Sequence, residues 1–178
     1  KVIPCYYKKD YPEWSDRGDG PGAPVAVHLP NSPVIQTGKR DGSKIRLPNG
    51  NYLEETASYY VLVETKAGGM TPALISMKST QLNVSKKWNS MMKTIQIPDG
   101  KGGMAIPPMH GVVYNLQSVL QKNDKGSWYG WSVAQDRIMG QEDKSLYLTA
   151  KDFSGTASKG SVQTKADVEE KPKDSTPY

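Results

Sequence analysis

The chain has 178 residues, enough for one domain of ordinary size or two small ones. Lys and Arg number 23 against 18 Asp and Glu, a net charge of +5, and no run of residues reaches the length of a membrane-spanning apolar helix. Its one cysteine, Cys5, excludes an internal disulfide, and one Cys with two His cannot build a Cys/His zinc site.

The aromatic count stands out: ten Tyr and four Trp against one Phe. A buried Tyr or Trp must find a hydrogen-bond partner, so this set predicts rings lying half out of the core, at an interface. The chain opens Lys1-Val2-Ile3-Pro4, without the apolar run of a signal peptide. A reduced, intracellular setting is the expectation. Because it begins without Met and inside a strand-like segment, a preceding segment is expected to be missing.

Residues 2–7 read as a short strand, which Pro4 places toward a sheet edge because proline has no amide to donate. Tyr11 to Trp14 continue it. Residues 15–24 combine Gly, Pro and Asp and read as a loop. After the short apolar run Val25 to Leu29, the stretch Pro30 to Gly50 has the composition of an extended surface loop. Tyr59 to Glu64 is rich in β-formers and reads as a central strand, and Pro72 to Met77 as its hairpin return. Val84, Trp88, Met91, Met92 and Ile95 then share one face of a 3.6-residue period, so a helix is predicted near 80–95. Met104 to Met109 contains Pro107-Pro108 and is read as extended.

Gly111 to Gln121 reads as a long strand with Val112, Tyr114, Leu116, Ser118 and Leu120 on one side. The 122–126 segment is a hairpin turn, and Trp128 to Val133 returns with Tyr129, Trp131 and Val133 on one face. Lys144 to Phe153 reads as a short helix with Leu146, Leu148 and Phe153 apolar, although its period is poor. Residues 155–178 are almost all polar, without an aromatic until Tyr178, and read as a disordered tail. Strand runs interrupted by one helix predict a mainly β domain over 1–154, an antiparallel OB-like barrel or a small α+β sheet, and the helix between the two hairpins favours the barrel.

Two constellations could carry chemistry. From Thr65 to Asn123 the only acid is Asp99, against seven lysines, a local charge of +6. That density either attracts a polyanion or forms a solvated helix face. The second is the interleaving of Trp128, Tyr129 and Trp131 with Lys122 and Lys125, repeated more weakly at Tyr59-Tyr60 and Tyr6-Tyr7-Lys8-Lys9. Single-strand binders use rings to stack bases and lysines to neutralise phosphates. Alternation sends about half of these rings into the core instead. Enzyme signatures are poor: the glycine-rich stretches 18–22 and 99–103 do not link a strand to a helix, and His28 and His110 lack a nearby nucleophile. Cys5 reads as a small apolar filler.

Several segments together carry a resemblance: Pro4-Cys5-Tyr6-Tyr7 with Glu13-Trp14, Leu47-Pro48-Asn49-Gly50-Asn51, Tyr59 to Val63, Pro72 to Gln81 leading into Lys86-Lys87-Trp88, and Lys125 to Trp131. Over roughly residues 1–135 the chain resembles a family of bacteriophage and prophage proteins, whose members usually carry additional sequence before this starting point. The resemblance implies a link to phage single-stranded DNA-binding proteins of OB fold. Such proteins end in an acidic tail with a terminal aromatic residue, which recruits replication partners. Here Asp167, Glu169, Glu170 and Asp174 precede Tyr178, but four lysines cancel their charge.

The resulting expectation is a phage single-stranded DNA-binding protein of the infected bacterial cytoplasm, acting in replication or recombination. It is expected to have no enzymatic activity, no cofactor, no metal and no membrane partner. Replication proteins are expected partners of the tail, and self-association is open. Tyr60, Trp128, Tyr129 and Trp131 are the stacking candidates. Lys66, Lys78, Lys86, Lys87, Lys93, Lys122 and Lys125 are the phosphate candidates. One rival is a virion structural or assembly protein that uses its Tyr- and Trp-rich surfaces for subunit contacts. The other is the accessory part of a nucleic-acid enzyme.

Overall fold

A computed structural model describes residues 1–16, 23–124, 126–160 and 162. The elements in chain order are β1 (Val2–Trp14), β2 (Ala26–His28), α1 (Pro33–Thr37), β3 (Lys39–Asp41), β4 (Lys44–Arg46), β5 (Tyr52–Glu54) and β6 (Thr56–Glu64). They continue with β7 (Met70–Lys78), α2 (Leu82–Thr94), β8 (Ile97–Pro98), β9 (Met104–Ala105), β10 (Val112–Asn123), β11 (Gly126–Ile138) and α3 (Lys144–Ser158). The protein is mainly β, as its strand-forming runs predict.

Five long strands make a curled half-barrel. β1 pairs antiparallel with β6, β6 with β7, β1 with β10 at Val2↔Tyr114, and β10 with β11. The helix α2 follows the third of these strands and precedes the fourth, the position expected for an OB-like barrel. No β7–β11 ladder closes the barrel among the described residues. Instead α2 packs against β6, β7 and β11 and fills the seam.

Strand alternation divides the sheet into two faces. The inner face holds Val2, Tyr59, Val61, Ile75, Met77 and Tyr114, packed on Trp88 and Met92 of α2. Four rings run through this core. Tyr7 leans on Tyr59 at 4.9 Å between centroids, Tyr59 stacks on Trp88 at 4.4 Å, and Trp88 meets Tyr114 edge-on at 5.6 Å. The polar-handled rings therefore divide between the core and the surface, as strand alternation and the helical period predict. Tyr59 enters the core because its hydroxyl donates to the Ser85 carbonyl at 3.1 Å and lies 2.8 Å from Ser85 Oγ. Burial raises the pKa of this phenol, so it stays neutral.

The outer face is covered in part by α3. Ile3, Cys5, Leu62 and Val113 pack against Ala150, with Leu146 and Phe153 alongside. The Cys5 thiol is pushed up to about 12 by burial, which makes it an inert filler and not a nucleophile.

Three expectations are corrected. Pro4 does not make β1 an edge strand, since β1 lies between β6 and β10. The β1–β6 register shifts between Pro4 and Tyr6, and this bulge accommodates the missing amide. The stretch 30–50 is not an irregular loop: it contains α1, β3 and β4. The hairpin β3–β4 joins β5, which pairs with Glu13 and Trp14 of β1, while β2 pairs with Tyr11 to Glu13 on the other side. Tyr11, Ile45, Leu47 and Leu53 give this insert its own small core. Finally, α3 runs on to Ser158, so the boundary at 154 falls within a helix. The remainder of the expected tail, apart from residues 159, 160 and 162, lies outside the described residues.

Glu13 ties the insert together. Its side chain is buried, with Oε2 2.7 Å from His28 Nε2, and Oε1 accepts from Asn51 Nδ2 at 2.6 Å and Asn49 Nδ2 at 3.1 Å. The Asn51 bond, then the His28 bond, lower the pKa of this carboxyl. A depressed native pKa gives stability that is complete above the unfolded value and lost as pH falls through the native one. Protection factors for hydrogen exchange at residues 26–28 and 49–54, relative to the intrinsic rates at each pH, should therefore fall below about pH 4. In Glu13→Gln the same amides should exchange faster at neutral pH, and their acid dependence should flatten. Protection factors that stay constant through this pH range in the native protein would contradict this role.

Candidate nucleic-acid interface

The helix α2 and the β10–β11 hairpin form a groove. On α2, Ser85, Trp88 and Met92 are buried, so the same period leaves Lys86, Lys87 and Lys93 exposed. The residue before the helix, Gln81, fixes it to the hairpin: Trp131 N donates to Gln81 Oε1 at 2.8 Å. Gly130 permits this approach. A Cβ there would lie 2.3 Å from Gln81 Nε2 and 2.8 Å from Gln121 Nε2.

Two hollows follow this contact. One, of about 170 Å³, is walled by Val84, Lys87, Val119, Gln121 and Trp131. The other, of about 260 Å³, lies at Thr80, Asn123, Gly126, Ser127 and Trp128. Gln121 and Trp128 are register partners, which places the second hollow toward the hairpin tip. Two buried donors here, Trp128 Nε1 and Gln81 Nε2, have no hydrogen-bond partner among the described residues. Leu120 and Tyr129 also face each other across the hairpin, 63% and 73% exposed.

The charges divide in the same sense. Lys1, Lys8 and Lys9, at the start of the chain and on β1, each pair with an acid. Lys86, Lys87, Lys93 and Lys122 have no ion pair among the described residues, and all four are exposed. Asp99, the acid within their segment, is occupied by its own turn, accepting from the amides of Lys101 and Gly103 at 2.7 and 2.9 Å.

Of the residues singled out in the sequence, Trp128, Tyr129, Trp131, Lys87 and Lys122 come together on the hairpin and the facing helix, with Lys86 next to Lys87 on that helix. Lys93 lies at the other end of α2, at a different cavity. Lys66 sits in the β6–β7 turn, and Lys78 at the opposite end of those strands. Lys78 is 2.9 Å from Glu54 and lies over the Trp14 ring. Tyr60 is on the outer face, 9% exposed, against Tyr6 and under Lys8. It has little ring surface to offer a base. Lys125 lies outside the described residues. Sequence reasoning missed Thr80, Gln81, Leu120 and Gln121. Leu120 shares a side of β10 with Val112 and Tyr114, yet it is exposed where they are buried.

Among the known proteins, no curated protein and no solved structure is significantly similar to the chain. The model of one protein family, described as Pam3 phage gp34-like protein, matches residues 1–163. A match over that share of the length means that the chain belongs to the Pam3 phage gp34-like protein family, a family of phage proteins.

Proposed function

We infer that the protein binds single-stranded nucleic acid, with DNA of a replicating phage in the host cytoplasm as the natural target. The observation that carries this reading is the groove between α2 and the β10–β11 hairpin. It combines the half-exposed rings of Trp128 and Trp131, the open ring of Tyr129 on the same hairpin, two unpartnered buried donors, and Lys86, Lys87 and Lys122, which have no ion pair among the described residues. Stacking is tolerant of sequence, so the binding should be as well. In OB barrels the loop between the fourth and fifth strands contributes to the oligonucleotide site, and here that loop is the β10–β11 tip. The activity is read as binding alone. A titration of tryptophan fluorescence with oligo-dT tests it. Quenching that saturates at low salt supports the reading, and unchanged fluorescence at both low and high salt overturns it.

A second reading, a virion structural or assembly protein, has its own observation. Val25, Val27 and Leu29 are each more than half exposed, beside and within a short strand whose only ladder partner among the described residues is β1. An apolar stripe on an open strand edge suits subunit contact. Its stoichiometric presence in purified particles, measured by mass spectrometry, would favour this reading over the first.

A further inference from the structure

A second cavity lies away from the hairpin groove, at the C-terminal half of α2. It has a volume of about 440 Å³, within the ~300–1,000 Å³ range of small-molecule sites. Met92, Ile106, Pro107, Met109 and Val112 make its apolar walls, and the rings of Tyr7 and Tyr114 complete them. Three polar groups interrupt this lining. Asn89 and Lys93 come from successive turns of α2, and Lys93 is exposed, with no ion pair among the described residues. The third is the Tyr114 hydroxyl. Tyr114 is 0% exposed, and its hydroxyl has no hydrogen-bond partner among the described residues. Burial pushes this phenol up to about 12, so it remains a donor at neutral pH. A buried donor without an acceptor is unfavourable, and a bound acceptor would remove that deficit.

We propose that this cavity binds one nucleotide, with the base between the apolar walls and an acceptor of the base on the Tyr114 hydroxyl. The phosphate then lies at the cavity mouth, on Lys93. A flat ring suits walls of Tyr, Met and Pro side chains. An anionic group explains an unpaired lysine beside an otherwise apolar lining. Two sources share this chemistry, a free mononucleotide and one nucleotide of a bound strand. The second source rests on the single-strand reading above, and the first does not.

The test uses the full chain with isotope-labelled methionine methyls, since Met92 and Met109 report from the cavity walls. Titration with dTMP should shift these two methyls selectively. Thymidine should bind more weakly, because it lacks the phosphate. Tyr114→Phe should weaken dTMP binding roughly five- to tenfold, the effect of one lost buried hydrogen bond. Lys93→Gln should weaken dTMP and leave thymidine unchanged. Oligo-dT shifting the same methyls identifies the strand as the source, and a response to dTMP alone identifies the free nucleotide. The proposal is overturned if neither probe shifts Met92 and Met109 at up to about 10 mM, beyond the affinity of any specific site. It is equally overturned if N-acetyltyrosine shifts them as strongly as dTMP. Quenching of the tryptophans by oligo-dT tests the hairpin groove separately, so the two failures are distinguishable.

Discussion

Tyr129→Ala is expected to weaken oligo-dT binding by about one to two orders of magnitude while leaving stability nearly unchanged. The side chain is 73% exposed and its register partner is the equally open Leu120. Its removal therefore costs little packing. If the ring carries a base, the loss is the stacking free energy, about 1–3 kcal/mol. Tyr129→Phe should retain most of the affinity, because the ring face does the stacking. Salt separates the second component. If Lys86, Lys87 and Lys122 each neutralise one phosphate, log K should fall with log[salt] at a slope near −0.7 per contact, about −2.1 in all. Affinity should then drop about 20-fold between 50 and 200 mM salt. Lys86→Gln with Lys87→Gln should lower the slope by about 1.4 and leave the Tyr129 effect intact. A slope near zero, or full affinity in Tyr129→Ala, would remove the groove as the binding site.

The parts of this arrangement that the sequence announces are those built from long periodic runs. The 3.6-residue spacing of Val84, Trp88, Met92 and Ile95 predicts α2, and the helix runs Leu82–Thr94. Alternation from Val112 to Leu120 predicts the inner face of β10, and Val112 and Tyr114 do lie in the core. The insert between β1 and β6 is illegible for a physical reason. Strands of three residues show no period, and β2, β3, β4 and β5 are all that short. Their order comes from Glu13 and the small core around Leu53, both long-range effects. The helix α3 is hidden differently. Its fully buried positions are Ala150 and Ala157, small residues that allow close approach to β1 but leave a weak apolar signal. In β1 the Lys8-Lys9-Asp10 run looks like a strand end, yet Lys8 and Lys9 each find an acid and the strand continues to Trp14.

The candidate site was legible only as a set of residue types. Sequence places Trp128 and Trp131 on opposite faces of one strand, and they do take different surroundings. Trp131 packs toward the core beside Val84, while Trp128 lines the hollow at Thr80. What joins them into one groove is the helix held by Gln81, a contact between residues 50 apart in sequence. The nucleotide cavity was not legible at all. It depends on residues 106–109 folding back over α2, and the Pro107-Pro108 pair says only that this segment is extended.

Trp88→Ala should be the most destabilising single substitution considered, lowering the unfolding free energy by about 3–5 kcal/mol. The indole is fully buried, stacked on Tyr59 at 4.4 Å and edge-on to Tyr114 at 5.6 Å. It is the side chain through which α2 fills the open seam between β7 and β11. Truncation removes the stacking partner and leaves a cavity lined by rigid rings that cannot collapse into it. For a domain whose total stability is about 5–15 kcal/mol, the loss is a large fraction. At an m-value of about 2 kcal/mol/M in urea, the midpoint should fall by about 2 M. Trp88→Phe should cost much less. The stack on Tyr59 persists, and the substitution also removes the Trp88 Nε1 donor, which is buried without a partner. The two alanine variants then separate structure from binding. Tyr129→Ala loses affinity at constant stability, whereas Trp88→Ala loses stability first, and affinity only as α2 withdraws Lys86 and Lys87 from the hairpin. A midpoint shift below about 0.5 M in Trp88→Ala would mean that the helix is held elsewhere, with Gln81 and its bond to β11 the next contact to remove.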